Sequence, residues 1–300
     1  MNTAPEASSG HSRANITPQE MVERARAIAP RLRQRAEEAR AGRRVPPATM
    51  ADYHDTGLIR IAQPARYGGY EMGWDVLCEI SQVLAEADGS QAWIQRIMAD
   101  HAQMVATFPP EAQEDVWGGN HHALISAAFD PVGRGRRTKG GVIFSGRHGF
   151  SSGIDYADWI ICGGYIVDGD AKDGPHFFLV PRADVTVIDD WHTMGLEGTG
   201  SKSFEVKDAF VPEHRILMGG EASGGFGPGV AVNHRDGAPR RCGIGEGRIV
   251  GHQSEVVGGG LDLTQIGGAD RPVADGDLVG VPGAVVGDRK STRLNSSHVA

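Results

Sequence analysis

Small hydroxyl residues beside glycines form two short clusters in this sequence, and such clusters could hydrogen-bond a ligand. The first is FSSG, where Ser151 and Ser152 follow Phe150. The second is GLEGTGS, where Thr199 and Ser201 lie among glycines that allow a backbone and a ligand to approach closely. Each spacing is also that of a turn between two strands that binds nothing. From spacing alone, the turn is the favoured interpretation of the first cluster.

Two further candidates lie before these clusters. Trp93 and His101 are spaced with Ile97 and Met104 at intervals of four, four and three, so they share one face of a helix. The alternative is a core tryptophan and a polar histidine on the helix surface. Ser126 lies in LISAAF, a strand-like run, where it could face a ligand or fill a core position as a small side chain.

Three other patterns do not predict a site. Neighbouring residues in a strand point to opposite faces, so the pair His121–His122 does not predict a metal centre. The glycine run at residues 243–247 lacks the preceding strand and following helix of a dinucleotide loop. The cysteines, Cys78, Cys162 and Cys242, are far apart and contain no CxxC pair. They indicate a reducing compartment and buried thiols rather than disulfides or zinc.

Helical elements precede the strand-like ones. After a polar lead, residues 1–16, which we expect to be disordered, TPQE predicts a helix start with Thr17 as N-cap and Glu20 closing a capping box. Apolar residues spaced three and four apart extend this helix to about residue 42. Further helices are predicted at residues 50–56, 74–87, 90–108 and 109–118, and residues 57–71 are predicted to form a short extended piece and a Gly-Gly turn. Residues 17–118 are therefore predicted to form a helical domain.

The hydrophobic period then changes from 3.6 to 2. Five runs rich in β-branched and aromatic residues, bounded by Gly, Asp or Pro, predict strands. They are HHALISAAF, GVIFSGRHGF, DWIICGGYIV, HFFLVPRADVTVI (residues 176–188) and KSFEVKDAFVP. Lys139–Gly140–Gly141 predicts a hairpin turn. Residues 119–218 are predicted to form a compact antiparallel β domain. The fold class is therefore α+β, with helices first and a sheet second.

Charge and hydropathy exclude two classes of partner. The net charge is −8, from 38 acidic and 30 basic residues, which argues against a general nucleic-acid binder. No run approaches the ~18 apolar residues of a membrane span. The N-terminus has no apolar core typical of a secretory leader, so we expect a cytoplasmic protein without a membrane or nucleic-acid partner.

The sequence changes character after residue 218. Residues 219–287 contain 20 glycines in 69 positions, and no Phe, Tyr or Trp follows Phe226. Such a composition cannot bury enough apolar surface to offset backbone ordering, so residues 219–300 are predicted to be disordered or non-native. Residues 288–298, DRKSTRLNSSH, match in all eleven positions the translation of a common sequencing-library adapter. We interpret the preceding segment as DNA read in a wrong frame from about residues 233–236; the alternative is a genuine disordered tail.

Residues 45–218 resemble the acyl-CoA dehydrogenase superfamily, and most closely its flavin-dependent monooxygenase branch. That branch holds the oxygenase components of two-component aromatic hydroxylases, of the p-hydroxyphenylacetate hydroxylase and secosteroid monooxygenase type. The resemblance depends on an ordered set of stretches and not on one decisive motif. These stretches are GLIRIAQPARYGGYE, AWIQRIMADHAQMVATFPPEAQEDVWG, FSGRHGFSSGIDYADWIICGG, FFLVPRADVTVIDDWHTMGLEGTGSKS and DAFVPEHRI.

The resemblance implies a fold and a function. The family has an N-terminal helical domain, a central β domain and a C-terminal four-helix bundle. The bundle should begin near residue 220, and we expect it to be missing here. The implied enzyme hydroxylates a phenolic or polycyclic aromatic substrate with O₂ and reduced flavin, FMNH₂ or FADH₂. A separate flavin reductase supplies that flavin, and the intact parent is a homotetramer.

The resemblance also assigns roles to the candidate residues. It places the hydroxyl of Ser152 against the N5/O4 edge of the flavin, and Trp93 and His101 beside the flavin and substrate. The general base belongs to the C-terminal bundle, so no catalytic residue is assigned, and no metal is expected. The implied cofactor-binding residues are Trp93, His101, Ser126, Phe150, Ser151, Ser152, Thr199 and Ser201.

Two alternatives remain at this point. The first is an acyl-CoA dehydrogenase that uses FAD; the chain has SAAFDPVGRG where those enzymes carry a T-E-x-x-x-G-S-D loop, which argues against it. The second is a non-catalytic truncated fragment of such an enzyme. Without its bundle, that fragment would expose a large apolar face.

Overall fold

The computed structural model describes residues 16–218, in which helices come first and strands follow. The helices are α1 Pro18–Gln34, α2 Ala36–Gly42, α3 Pro47–Thr56, α4 Trp74–Ala85, α5 Gly89–Val105 and α6 Pro110–Trp117. The strands are β1 Ile125–Thr138, β2 Gly141–Ser151, β3 Trp159–Asp168, β4 Ala171–Pro181, β5 Val185–Ile188, β6 Lys202–Pro212 and β7 Ile216–Met218. The predictions for the disordered lead, the glycine-rich tail, its adapter-like end and the missing bundle lie outside the described residues.

Helix α1 begins where its capping signal predicts. The Thr17 hydroxyl accepts a hydrogen bond from the Glu20 amide at 3.2 Å, and the Thr17 amide donates to the Glu20 carboxylate at 2.7 Å. This reciprocal pair satisfies two amides that a helix start leaves free. The apolar stripe of the helix, which includes Met21, Ile28 and Leu32, is buried.

Two local predictions were wrong. The first helix does not continue unbroken to residue 42, since α1 ends at Gln34 and α2 begins at Ala36. Arg35, at the break, donates to the Asp52 carboxylate at 2.7 Å and to the Thr49 hydroxyl at 3.2 Å, and these tertiary contacts have no local sequence signal.

The stretch predicted as extended, residues 57–71, instead contains 3-10 turns at Leu58–Arg60 and Ala65–Tyr67. Most of its apolar residues, including Leu58, Ile59 and Ile61, are buried on consecutive or neighbouring positions, so they show no useful period. Gln63, also buried, donates to the carbonyls of Tyr67 at 2.8 Å and His121 at 2.9 Å. The segment is therefore an irregular layer of the core.

The sheet has the strand order β5-β6-β2-β1-β3-β4-β7. Strand β3 pairs with β1 in parallel, so the prediction of a wholly antiparallel domain was wrong for that pair. The β1–β2 hairpin returns the chain to the beginning of β1, and residues 152–158 then lead directly into β3. Because β3 starts beside the start of β1, it runs in the same direction. The sheet is mixed.

The run predicted as one strand at residues 176–188 is broken by the 3-10 turn Arg182–Asp184. Strand β4, which ends at this turn, is the second strand from one edge of the sheet. Strand β5, which begins after the turn, is the edge strand on the opposite side. Three residues span that distance, so the sheet must be strongly curled. Its interior is a buried cluster that includes Phe144, Phe178 and Phe204.

The helices and the sheet form one compact unit with a shared core. Phe108 and Trp117 from the helical part pack with Ile125, Ile161 and Leu179 from the strands, and all five are buried. Helix α5 lies against β1 at this junction and positions the candidate site. Among the described residues, no helix combines the length and apolarity that crossing a membrane would need.

Candidate functional site

The turn after β2 meets helix α5 and the turn before β6. Gly153, with a positive φ of 72°, donates its amide to the Thr199 carbonyl at 3.0 Å. A Cβ at Gly153 would lie 2.5 Å from the terminal methyl of Met98 on α5. The left-handed backbone favours glycine at this position, and a larger residue would also have to displace the Met98 methyl. This turn brings the two hydroxyl clusters of the sequence together.

Three side-chain hydroxyls form a continuous hydrogen-bonded series. Ser152 Oγ lies 2.6 Å from Ser201 Oγ, and Ser201 Oγ lies 2.6 Å from Thr199 Oγ1. At one end the Trp93 indole donates to Ser152 Oγ at 3.2 Å, and at the other Thr199 Oγ1 donates to the Leu196 carbonyl at 2.8 Å. We call Ser152, Ser201 and Thr199 the hydroxyl chain. All three residues are buried, and Ser152 is the most accessible at 9% exposure.

A second pair of hydroxyls supports the backbone of Ser152. Ser126 Oγ donates to the Ser152 carbonyl at 2.9 Å and lies 2.7 Å from Ser151 Oγ. Both serines are fully buried, so they hold the turn and do not reach solvent. Six of the predicted site residues are thus joined at Ser152: Trp93, Ser126, Ser151, Ser152, Thr199 and Ser201.

Large apolar side chains are exposed on the three segments that carry Trp93, Ser152 and Thr199. Phe150 adopts a positive φ of 57°, and its ring is 78% exposed. It meets Trp191 edge-on, with ring centroids 5.9 Å apart. Trp93, Met194 and Leu196 are also exposed, although they are large and apolar. We call Trp93, Phe150, Trp191, Met194 and Leu196 the apolar rim.

His101 lies outside the hydroxyl chain. It is buried, and its Nδ1 lies 3.0 Å from the carbonyl of Ile125, the neighbour of Ser126. Since a carbonyl only accepts, Nδ1 carries the proton. Burial, with a smaller contribution from the positive charge of Arg96, lowers the pKa of His101 to about 4, so its imidazole is neutral at pH 7. Its ring meets Phe129 edge-on at 5.6 Å.

The segment that carries Trp191 is held by Arg43, which was not among the predicted site residues. Arg43 donates to the Asp189 carboxylate at 2.8 Å and to the Trp191 carbonyl at 3.0 Å. Lys202, next to Ser201, donates to Asp155 at 2.9 Å. Arg43 follows helix α2 and lies 148 positions before Trp191, so no local pattern connects the two. The tryptophan itself could have been found as the aromatic preceding GLEGTGS.

The arrangement suits a planar heteroaromatic ligand. A fixed, neutral hydroxyl can hydrogen-bond the edge of such a ring, while exposed aromatic side chains can cover its faces. Within residues 16–218, no group of three His, Cys, Asp or Glu side chains could hold a metal ion. The hydroxyl of Ser152 and the exposed aromatic rings have the chemistry that suits the isoalloxazine ring of a flavin, which has apolar faces and a polar edge.

Comparison with known proteins shows that the chain is similar to flavin-dependent enzymes. Residues 17–119 match the family described as acyl-CoA dehydrogenase, N-terminal domain. The chain is 38% identical over 213 residues to the flavin-dependent monooxygenase oxygenase subunit HsaA of Rhodococcus jostii, covering 71% of this chain and 56% of HsaA. It is 34% identical to the oxygenase component of an FADH₂-dependent resorcinol hydroxylase from a Rhizobium species, covering 70% of this chain and 51% of that protein.

A solved structure gives the same result. The crystal structure of 3-HSA hydroxylase from Rhodococcus sp. RHA1 superposes with a TM-score of 0.69 at 36% identity, covering 71% of this chain and 57% of that one. The chain thus spans about half the length of the curated relatives it matches. The matches confirm the resemblance and the fold class. The described part of the chain belongs to the acyl-CoA dehydrogenase superfamily and is related to the oxygenase components of flavin-dependent hydroxylases.

Proposed function

We propose that this protein is the oxygenase component of a two-component flavin-dependent monooxygenase. It hydroxylates a phenolic or polycyclic aromatic substrate with O₂ and reduced flavin, FMNH₂ or FADH₂, which a separate reductase supplies. The observation that carries the proposal is the Ser152 hydroxyl, fixed by Trp93 and Ser201 at the apolar rim. The names of the relatives, oxygenase subunits of flavin-dependent hydroxylases, support it. A cytoplasmic homotetramer completes the proposal.

The protein's part in this reaction is to bind, orient and exclude water. A bound reduced flavin supplies the electrons for O₂ activation, which no side chain of the protein can provide. Ser152, which the resemblance places against the N5/O4 edge, would hydrogen-bond that edge of a bound flavin. The exposed side chains of Trp93 and Phe150 would cover the ring and keep water from its reacting face.

Four other candidate residues act by holding Ser152 in position. Ser126 and Ser151 are fully buried and hold the backbone of Ser152, while Ser201 and Thr199 hold its side chain. His101 remains a proposed cofactor-binding residue on the strength of the resemblance. Its neutral imidazole offers Nε2 as an acceptor, because Nδ1–H is committed to Ile125.

Replacing Ser152 with alanine tests the proposal. The full chain is titrated anaerobically with reduced FMN and reduced FAD, then mixed with O₂ and a panel of phenols. Ser152→Ala removes one hydrogen bond, so we expect about fivefold weaker binding of reduced flavin and a smaller share of O₂ consumption that yields hydroxylated product. Ser81→Ala, on helix α4, is the matched control, because Ser81 bonds only its own helix at the Leu77 carbonyl.

Two results would contradict the proposal. One is a wild-type chain that binds no reduced flavin; the other is a Ser152→Ala variant that behaves like Ser81→Ala. The dehydrogenase alternative predicts a different signal, namely bleaching of bound oxidised FAD by an acyl-CoA without a reductase.

A further inference from the structure

We infer that the hydroxyl chain has one hydrogen-bond direction, which makes Ser152 Oγ an acceptor toward its ligand and so selects reduced over oxidised flavin. Reduced flavin carries a hydrogen on N5 and can donate there, whereas oxidised flavin presents a lone pair at N5. Thr199 and Ser201 are then positioning residues that set this preference without touching the flavin. The inference depends on the flavin site proposed above.

The direction is set at the Leu196 end of the chain. A backbone carbonyl only accepts hydrogen bonds, so at 2.8 Å the single hydroxyl proton of Thr199 must point to Leu196 O. Thr199 Oγ1 is then an acceptor for Ser201, 2.6 Å away, and the Ser201 proton is committed to it. By the same reasoning Ser152 donates its proton to Ser201 at 2.6 Å.

The Trp93 end agrees with this direction. An indole N–H only donates, and it points at Ser152 Oγ from 3.2 Å. Ser152 Oγ therefore accepts from Trp93, donates to Ser201 and keeps one lone pair. No proton remains on Ser152 for a further ligand.

The reverse direction is disfavoured by burial. The Leu196 carbonyl also accepts from the Thr199 amide at 3.0 Å and from the Trp191 indole at 3.3 Å, so it is paired in either direction. The reverse direction would nevertheless hold Thr199 Oγ1 and this carbonyl 2.8 Å apart as two acceptors with no proton between them. Thr199 is 1% exposed and Ser201 is 5% exposed, so water cannot readily enter to supply the missing proton. Two acceptors in contact repel each other, and the forward direction replaces that repulsion with a hydrogen bond.

The consequence is that Ser152 Oγ is complementary to a hydrogen-bond donor on the ligand and not to an acceptor. The lone pair of Ser152 pairs with an N–H of the ligand, and it opposes a lone pair of the ligand. The hydroxyl chain thus discriminates between two forms of one cofactor that have nearly the same shape. Discrimination of this kind by a fixed polar group is larger than that available from apolar contacts.

Thr199→Val tests the direction, because valine keeps the shape of threonine and removes the hydroxyl. Ser201, without its acceptor, then donates to Ser152, and Ser152 turns its own proton outward. Dissociation constants of reduced and oxidised FMN and FAD are measured anaerobically on the full chain. We expect the preference for reduced flavin to fall roughly tenfold, with a matching rise in the affinity for oxidised flavin.

Two companion variants make the test specific. Ser201→Ala frees the Ser152 proton by another route and should change the preference in the same direction. Thr193→Val is the matched control. Thr193 donates to the Gly195 carbonyl at 2.8 Å in the same loop, but its side chain is exposed and is not part of the hydroxyl chain. It should leave the preference unchanged.

The outcomes separate the two proposals. If wild type binds reduced flavin and both Thr199→Val and Ser201→Ala keep its preference, the direction is refuted while the proposed function stands. Equal weakening of both flavin forms would mean a purely structural role and would also refute it. A wild-type chain that binds neither form would refute the flavin site itself.

Discussion

At the scale of single residues, burial decides which polar groups can carry charge. His148 on β2 is 2% exposed, and its ring is stacked between Phe144 at 6.2 Å and Phe204 at 5.1 Å. Neither ring nitrogen has a hydrogen-bond partner of ordinary geometry among the described residues, although Asp130 lies close enough to favour the charged form. Burial outweighs Asp130 and lowers the pKa of His148 from 6.5 to about 4.

His148→Phe should therefore make the fold less sensitive to acid. Between pH 6.5 and pH 4 the unfolded chain binds a proton at this position that the folded chain does not, so stability falls as the pH falls. We expect the free energy of unfolding of wild type to drop about 2 kcal/mol more between pH 7 and pH 5 than that of the variant. Denaturant titrations at both pH values measure the difference. His121→Phe, at an exposed histidine, is the control, and an unchanged acid loss in His148→Phe would contradict the prediction.

At the scale of elements, the rim segment depends on the helices for its position. Arg43, just after α2, binds both Asp189 and the Trp191 carbonyl. A Cβ at Gly198 would lie 3.0 Å from Ala39 Cβ and 3.1 Å from Ser90 Cβ, so this turn packs directly on α2 and α5. The segment that presents Trp191 to Phe150 is thus held by contacts from outside the sheet.

Arg43→Lys should loosen this segment. An ammonium group is a point donor and cannot reproduce the planar fork that reaches a carboxylate and a carbonyl together. We expect amide hydrogen exchange at residues 189–196 to rise several-fold while exchange in helix α1 stays the same. Arg26→Lys is the matched control, because within residues 16–218 Arg26 forms a long, exposed ion pair with Glu79 at 3.9 Å and lies outside this segment. Equal exchange in both variants would show that packing alone holds the segment.

At the scale of the whole molecule, helices and sheet share their stability. Ile161 on β3 is fully buried in the cluster that also contains Phe108 and Trp117 from the helical part. Removing apolar volume at this junction removes contacts from both parts. We therefore expect the two parts to unfold together.

Ile161→Ala tests this cooperativity. Deletion of a fully buried isoleucine side chain should cost about 3 kcal/mol of unfolding free energy. Circular dichroism of the helices and hydrogen exchange of strand β3, both followed against denaturant, should shift to the same lower midpoint. Ile143→Ala, at a half-buried position on β2, should cost less. Separate midpoints for the helices and β3 would refute a shared unfolding unit.

The sequence by itself determined the features that depend on neighbouring residues. The capping box at Thr17 and Glu20 predicted the start of α1, and the alternation of apolar residues predicted most strands, because these signals act over a few positions. The same local patterns, with the family resemblance, pointed to Trp93, Ser152 and Ser201 as candidates. They could not show that these side chains touch.

Only the tertiary structure decided which of these groups meet. Trp93 and Ser152 are 59 positions apart, Ser152 and Ser201 are 49 apart, and Arg43 and Trp191 are 148 apart. These contacts depend on the path of the whole chain, including the parallel pairing of β1 with β3, which alternation cannot reveal. The direction of the hydroxyl chain likewise comes from one carbonyl at Leu196, a backbone group that every residue type carries.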